Sequence, residues 1–294
     1  MPSASGGREH GQRIEIRFGA RHEVVTSISE STLVAYNRAA VGNPNPVHDP
    51  EFARSVGFKG GLVPGVDVFA YLVRAPMDAW GPQWLGEGGL EARFVNPVYD
   101  GDTITIRASR SNSQMKIEAV NAAGFVCTTG AAERTIAEPP PDPEHWPERP
   151  LPDVLPAATP EALAASPVLG SLRVSVTEED GRRQLADVRE QSDLYARERI
   201  VHPGHLLRFA DSILAANVQL PPWMHVSSRA RFFNVVHWGE QLSVRATRGE
   251  LFEKKGHRFV QLDVLVAGAE GPVLRVEPYT AIYAPAWTNQ VRDE

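Results

Sequence analysis

One cysteine in 294 residues, Cys127, leaves no route to an internal disulfide. Its setting, Gly-Phe-Val-Cys-Thr-Thr-Gly, reads as a strand, so a buried, inert thiol is expected. No apolar run approaches the ~18 residues that a membrane-spanning helix needs. The opening stretch, MPSASGGREHGQR, has no apolar segment and does not read as a secretory signal. A frayed terminus and a soluble cytoplasmic protein are the expectation. A cationic surplus is also missing: 30 Lys and Arg stand against 36 Asp and Glu, a net charge of −6. That balance argues against a nucleic-acid partner, which calls for a basic face. His202 and His205 sit one helical turn apart, but no third ligand accompanies them nearby, so no metal is expected.

Proline is abundant instead, and one block of it divides the chain. Residues 137–160, AEPPPDPEHWPERPLPDVLPAATP, can hold neither a helix nor a central strand. They read as an extended linker; a flexible tether and a packed strap both remain open. The segments on either side resemble each other. RFVNPVYDGDTITIRA at 93–108 aligns without gaps to RFFNVVHWGEQLSVRA at 231–246, and VPGV at 63–66 matches HPGH at 202–205. Trp84 falls opposite Trp223. A duplicated domain follows. The expected boundaries are an N-terminal tail 1–19, a first domain 20–136, a linker 137–167, a second domain 168–284 and a tail 285–294.

Both halves have the same order of elements. PGVDVFAYLVRAPMDAW and PGHLLRFADSILAAN carry apolar residues at three- and four-residue spacing, so each reads as a helix entered through proline. Phe69, Tyr71 and Phe209 fall on the face expected in the core. After each helix come four segments of period two, the pattern of antiparallel strands with one buried face. One long helix followed by consecutive strands implies an α+β fold.

The stretch before the first helix, YNRAAVGNPNPVHDPEFARSVGFKGGLVPG at 36–65, resembles the hydratase-2 signature of MaoC-like enoyl-CoA hydratases and dehydratases. Tyr36, Gly42, Asn45, Pro46, His48, Ala53, Gly57, Phe58 and Gly65 fit the pattern. The resemblance implies two tandem hotdog domains, each a curved sheet around a central helix, packed as a pseudo-dimer. It departs at two points. Asn43 stands where the family has an aspartate, and one residue is missing between His48 and Ala53. The second half lacks the Asn-Pro-x-His loop and keeps only VHPGH at its helix start, a loss expected to make room for an acyl chain.

What the resemblance implies chemically is water addition or removal at an acyl thioester, an enoyl-CoA or 3-hydroxyacyl-CoA. His48 is the expected proton carrier, because histidine titrates near neutrality. The Gly65 N–H, at a helix start, is expected to hold the developing enolate oxygen. Asn43 can orient a water but cannot titrate. Asp49 and Asp67 are therefore candidate substitutes for the missing acid. Asn45, Val66, Tyr36, Phe58 and His202 are expected around the substrate, and Arg93 is a candidate partner for coenzyme A phosphates. Coenzyme A enters as part of the substrate, with no separate cofactor. Because a double hotdog contains its own pseudo-dimer, a monomer or a homodimer is expected. Two other functions stay open: an acyl-CoA-binding protein or subunit without catalysis, and a hotdog thioesterase using Asp67.

Overall fold

The computed structural model describes residues 27–40, 42–134 and 139–286. The expected N-terminal tail, the end of the strand read up to Ile136 and most of the C-terminal tail lie outside the described residues.

Seven helices are described: α1 Pro50–Ser55, α2 Gly65–Trp80, α3 Trp84–Glu87, α4 Pro160–Ala165, α5 Glu178–Asp187, α6 Leu194–Arg197 and α7 Pro203–Ala215. The two long Pro-Gly helices expected from periodicity are α2 and α7. Every residue of α2 from Val66 to Pro76 is buried, the mark of a helix enclosed on all sides rather than laid on a surface. Strands cover part of α2, and α7 covers another part. At the crossing a Cβ on Gly204 would come within 2.5 Å of the Ala70 Cβ, so glycine there permits the close approach of the two helices.

The strands are β1 Ser27–Val34, β2 Gly88–Phe94, β3 Thr103–Ser111, β4 Gln114–Asn121, β5 Val126–Arg134, β6 Leu172–Ser175, β7 Met224–Phe232, β8 Gln241–Lys254, β9 His257–Gly268 and β10 Gly271–Ala284. They form one sheet in the order β1-β3-β4-β5-β2-β7-β10-β9-β8-β6, each half wrapping its own helix. Antiparallel pairing of β2 with β7, with Leu90 opposite Ala230, joins the halves. Leu90, Ala230, Leu72 and Leu207 belong to one continuous core. Eight of these strands coincide with the segments of period two. The other two, β1 and β6, lie at the sheet edges, where exposed polar positions and short length erase the alternation.

The proline-rich segment is packed along the second half. Trp146 is buried, its indole N–H donates to the Asp263 carbonyl at 3.2 Å, and the Arg275 guanidinium lies over its ring. Ahead of α7 the chain forms α5 and α6, and Tyr195 of α6 is fully buried against the His202 ring.

Candidate active site

Local rules account for the shape of the His48 loop. Asn45 caps a 3₁₀ turn at Pro46–His48, and Asp49 caps α1. Pro46 and Pro50 each stand at a first helical position, where a missing N–H costs nothing. The His48 carbonyl accepts from the Asn37 amide at 2.8 Å, which fixes the backbone. Its ring Nδ1 lies 2.7 Å from the Leu62 carbonyl oxygen. A carbonyl can only accept, so Nδ1 carries the proton and Nε2 is left as the basic atom. Burial pushes the His48 pKa below its ordinary value, while the Leu62 carbonyl and the negative charge of Asp211 pull it back.

His48 lines a cavity of about 430 Å³, within the range of small-molecule sites. Most of its wall is apolar, with Val47, Val68, Phe94, Val98, Met224 and Ile282 among the contributors. Of the expected residues, Asn45, His48, Phe58, Gly65 and Val66 come together there. Gly65 opens α2, whose N-cap is Pro64 and which has no side-chain cap. The Asp67 and Val68 N–H groups turn back to the Pro64 carbonyl, which leaves the Gly65 and Val66 amides without an intrahelical acceptor. α7 begins differently. There the His202 Nδ1 accepts the Gly204 N–H at 3.1 Å, so that helix start is closed.

Other expected site residues are placed elsewhere. The Asn43 Oδ1 accepts the Asn45 N–H at 2.9 Å, a turn contact outside the cavity wall. The Asp49 Oδ1 takes the N–H groups of Glu51 and Phe52, as a capping carboxylate does. Asp67 is buried, with Arg208 at 2.5 Å and Arg38 at 3.5 Å, and it does not face the cavity. The Tyr36 ring lies under the Arg189 guanidinium instead of in the cavity wall. His202 is buried, with Glu190 at 3.5 Å and Tyr195 against its ring, also away from the cavity. Arg93 alternates with inward Ala92 and Phe94 and so projects from the outer face of the sheet, outside the cavity wall.

Three residues not expected at the site also line the cavity. Asp211 of α7, Trp223 and His225 all come from the second half. The Asp211 Oδ1 accepts the Tyr279 hydroxyl and the Trp223 indole N–H, the latter at 3.3 Å. His225 stacks on Tyr279 with ring centroids 4.6 Å apart, and its Nδ1 would lie 3.0 Å from a Cβ at Gly65. Burial holds the His225 pKa down to about 4, so its ring is neutral at pH 7. A usable signal existed for Trp223, which aligns with Trp84 between the repeats. Asp211 carried none, because an acid amid the apolar spacing of a helix looks like any solvated position.

Comparison with known proteins bears on the fold that carries this site. Residues 11–131 match the family described as MaoC like domain. The first half is thus similar to a MaoC-like domain. No protein of curated function matches the chain. Solved structures resemble nearly its whole length. A MaoC domain protein from Chloroflexus aurantiacus, named as a dehydratase, has a TM-score of 0.62 at 13% identity, covering 89% of this chain and 96% of its own. A conserved Mycobacterium tuberculosis protein with a double hotdog fold has a TM-score of 0.56 at 14% identity, covering 87% and 95%. A Lactobacillus plantarum protein named as an oleoyl thioesterase has 0.50 at 12%, covering 88% and 97%. At such identities the likeness establishes the fold, a double hotdog. The MaoC-like match stops before the second half, where the Asn-Pro-x-His loop is missing and the helix start is closed. Among the described residues no group of three or more His, Cys, Asp and Glu is placed to hold a metal, and no helix is long and apolar enough to cross a membrane.

Proposed function

We propose that the chain is a hydro-lyase that adds or removes water at an acyl thioester, an enoyl-CoA or 3-hydroxyacyl-CoA. The observation that carries this reading is the pairing of a basic His48 Nε2 with the uncapped start of α2 in one apolar cavity. A thioester carbonyl set against the Gly65 and Val66 amides places its negative charge at the positive end of a helix as the enolate forms. Removal of the α proton, or its return, then falls to His48, whose lowered pKa keeps it neutral and able to accept at pH 7. Val47, Val68 and Met224 provide apolar surface for the acyl chain. Coenzyme A is part of the substrate in this reading, and no separate cofactor takes part.

A thioesterase reading requires a carboxylate to activate water at the carbonyl; Asp67 is engaged by Arg208, which leaves Asp211 of the cavity wall for that role. Loss of the loop carboxylate favours the alternative of an acyl-CoA-binding protein without turnover. An assay over short, branched and aromatic enoyl-CoA and 3-hydroxyacyl-CoA esters separates the three. The expected result is interconversion of enoyl and 3-hydroxyacyl esters that His48→Ala abolishes. Release of free thiol, or thermal stabilisation without any turnover, would refute the assignment.

A further inference from the structure

The loop carboxylate missing at position 43 has a replacement in space. Among the described residues, Asp211 is the carboxylate that lines the His48 cavity. It comes from α7, in the other half of the duplication, and lies two turns beyond the start of that helix. Its Oδ1 accepts both the Tyr279 hydroxyl and the Trp223 indole N–H, and no donor among the described residues reaches Oδ2. Burial and the neighbouring Asp211 charge raise the Tyr279 pKa well above its ordinary value, so the phenol stays protonated and serves as the donor.

The same contacts tie Asp211 to both parts of the proposed site. Asn45, in the His48 loop, donates its side-chain amide to the Trp223 carbonyl at 2.9 Å and faces the Trp223 N–H with its oxygen at 3.4 Å. Trp223 in turn holds Asp211. On the other side, Tyr279 stacks on His225, which packs over Gly65. One chain of contacts thus runs from the histidine loop through Asp211 to the start of α2. A surface aspartate would have no reason to be held by two buried aromatic donors at this position.

Resting on the hydro-lyase reading, we propose that Asp211 is the second catalytic residue, and that the active site is built across the two halves. During hydration a water donates one hydrogen bond to the Asp211 Oδ2 and the other to the His48 Nε2. The proton on the second passes to Nε2 while the water oxygen bonds to the β carbon. The π electrons of the double bond shift to give the enolate, held at the Gly65 amide. The imidazolium proton then moves to the α carbon, and both side chains return to their starting states. Elimination runs the same steps in reverse. The Asp211 charge favours the imidazolium intermediate, while Asn43 is left to the turn that it closes.

The test uses the full chain with Asp211→Asn, Tyr279→Phe and His48→Ala, assayed on an enoyl-CoA ester that the wild type turns over. Binding of the saturated acyl-CoA is measured by calorimetry. Asparagine keeps an oxygen for the Tyr279 and Trp223 donors, so circular dichroism and affinity for the saturated ester are expected to match wild type. kcat is expected to fall about 10²-fold or more, with KM changed little. The acid limb of kcat/KM should also move to lower pH, because the nearby charges acting on His48 are Asp211 and Arg38 and the favourable one has been removed. Tyr279→Phe should give a smaller loss in kcat. Wild-type kcat in Asp211→Asn beside an inactive His48→Ala overturns the Asp211 assignment alone. Full activity in His48→Ala, or no turnover by the wild type on any ester, overturns the hydro-lyase reading and this proposal together.

Discussion

The Asn43 side chain accepts the backbone N–H of Asn45 at 2.9 Å, and this contact defines the loop ahead of His48. A short polar side chain that bonds two residues on closes a turn by itself. Position 43 therefore serves the shape of the loop. Asn43→Asp is expected to leave kcat and thermal stability close to wild type, since a carboxylate oxygen accepts the same bond. Asn43→Ala should destabilise by about 1 kcal/mol in urea denaturation. A large gain in hydration rate from Asn43→Asp would show that the position reaches the substrate after all.

Asn45 joins the halves at the site through its contacts with Trp223. Removing that buried amide in Asn45→Ala leaves the Trp223 carbonyl without its donor, at a cost of about 1–3 kcal/mol. The measurement is chemical denaturation together with kcat. Both should fall, because the His48 loop and the Trp223 segment lose their shared register. A stable variant with wild-type kcat would remove Asn45 from the positioning role.

Gly65→Ala presses a methyl group against His225, 3.0 Å from Nδ1 and 3.1 Å from the His225 Cβ. Because the ring is backed by Tyr279, it has little room to yield. The expected outcome is a folded protein with kcat/KM reduced by up to ~100-fold, as misplacement at a reacting centre produces. Gly204→Ala, at the matching position of the second half, is expected to lower the melting temperature instead. The methyl there meets Ala70 of α2, away from the cavity.

Two buried histidines should draw stability down in acid between pH 6.5 and 4, against a partial offset from Asp67, whose pKa burial raises to about 7. Burial holds both His205 and His225 down to about 4, below the unfolded value near 6.5. In that window the unfolded chain binds more protons than the native one, so stability rises with pH and is lost as pH drops. Full protonation of the pair corresponds to about 3 kcal/mol each as an upper figure. Melting curves at pH 7, 5.5 and 4 check the sign, and His205→Phe should flatten the dependence. A His205→Phe variant whose pH dependence matches wild type would contradict the burial of that ring.

Arg93→Ala should leave KM for a coenzyme A ester unchanged, because the side chain projects from the outer face of β2. A marked rise in KM would place the nucleotide on that face of the sheet.

Much of this protein could be read before folding was considered. Strict alternation over 103–108 and three- and four-residue spacing after Pro64 and Pro203 determined strands and central helices, because burial of one face imposes its period on the residues. Repeated anchors, Pro-Gly and Arg-Phe-x-Asn, determined the duplication. The cluster around His48 located one side of the site, since proline and asparagine act on their immediate neighbours. What lay beyond local rules was decided by tertiary structure. Asp67 and Asp211 are both acids on central helices, yet the crossing of α2 and α7 turns one toward Arg208 and the other into the cavity. The glycines of the two Pro-Gly pairs likewise diverge: Gly65 opens on a cavity, while Gly204 presses on Ala70 beneath a histidine cap. Which face of a buried helix meets which neighbour depends on contacts between residues more than a hundred positions apart, and no local period records them.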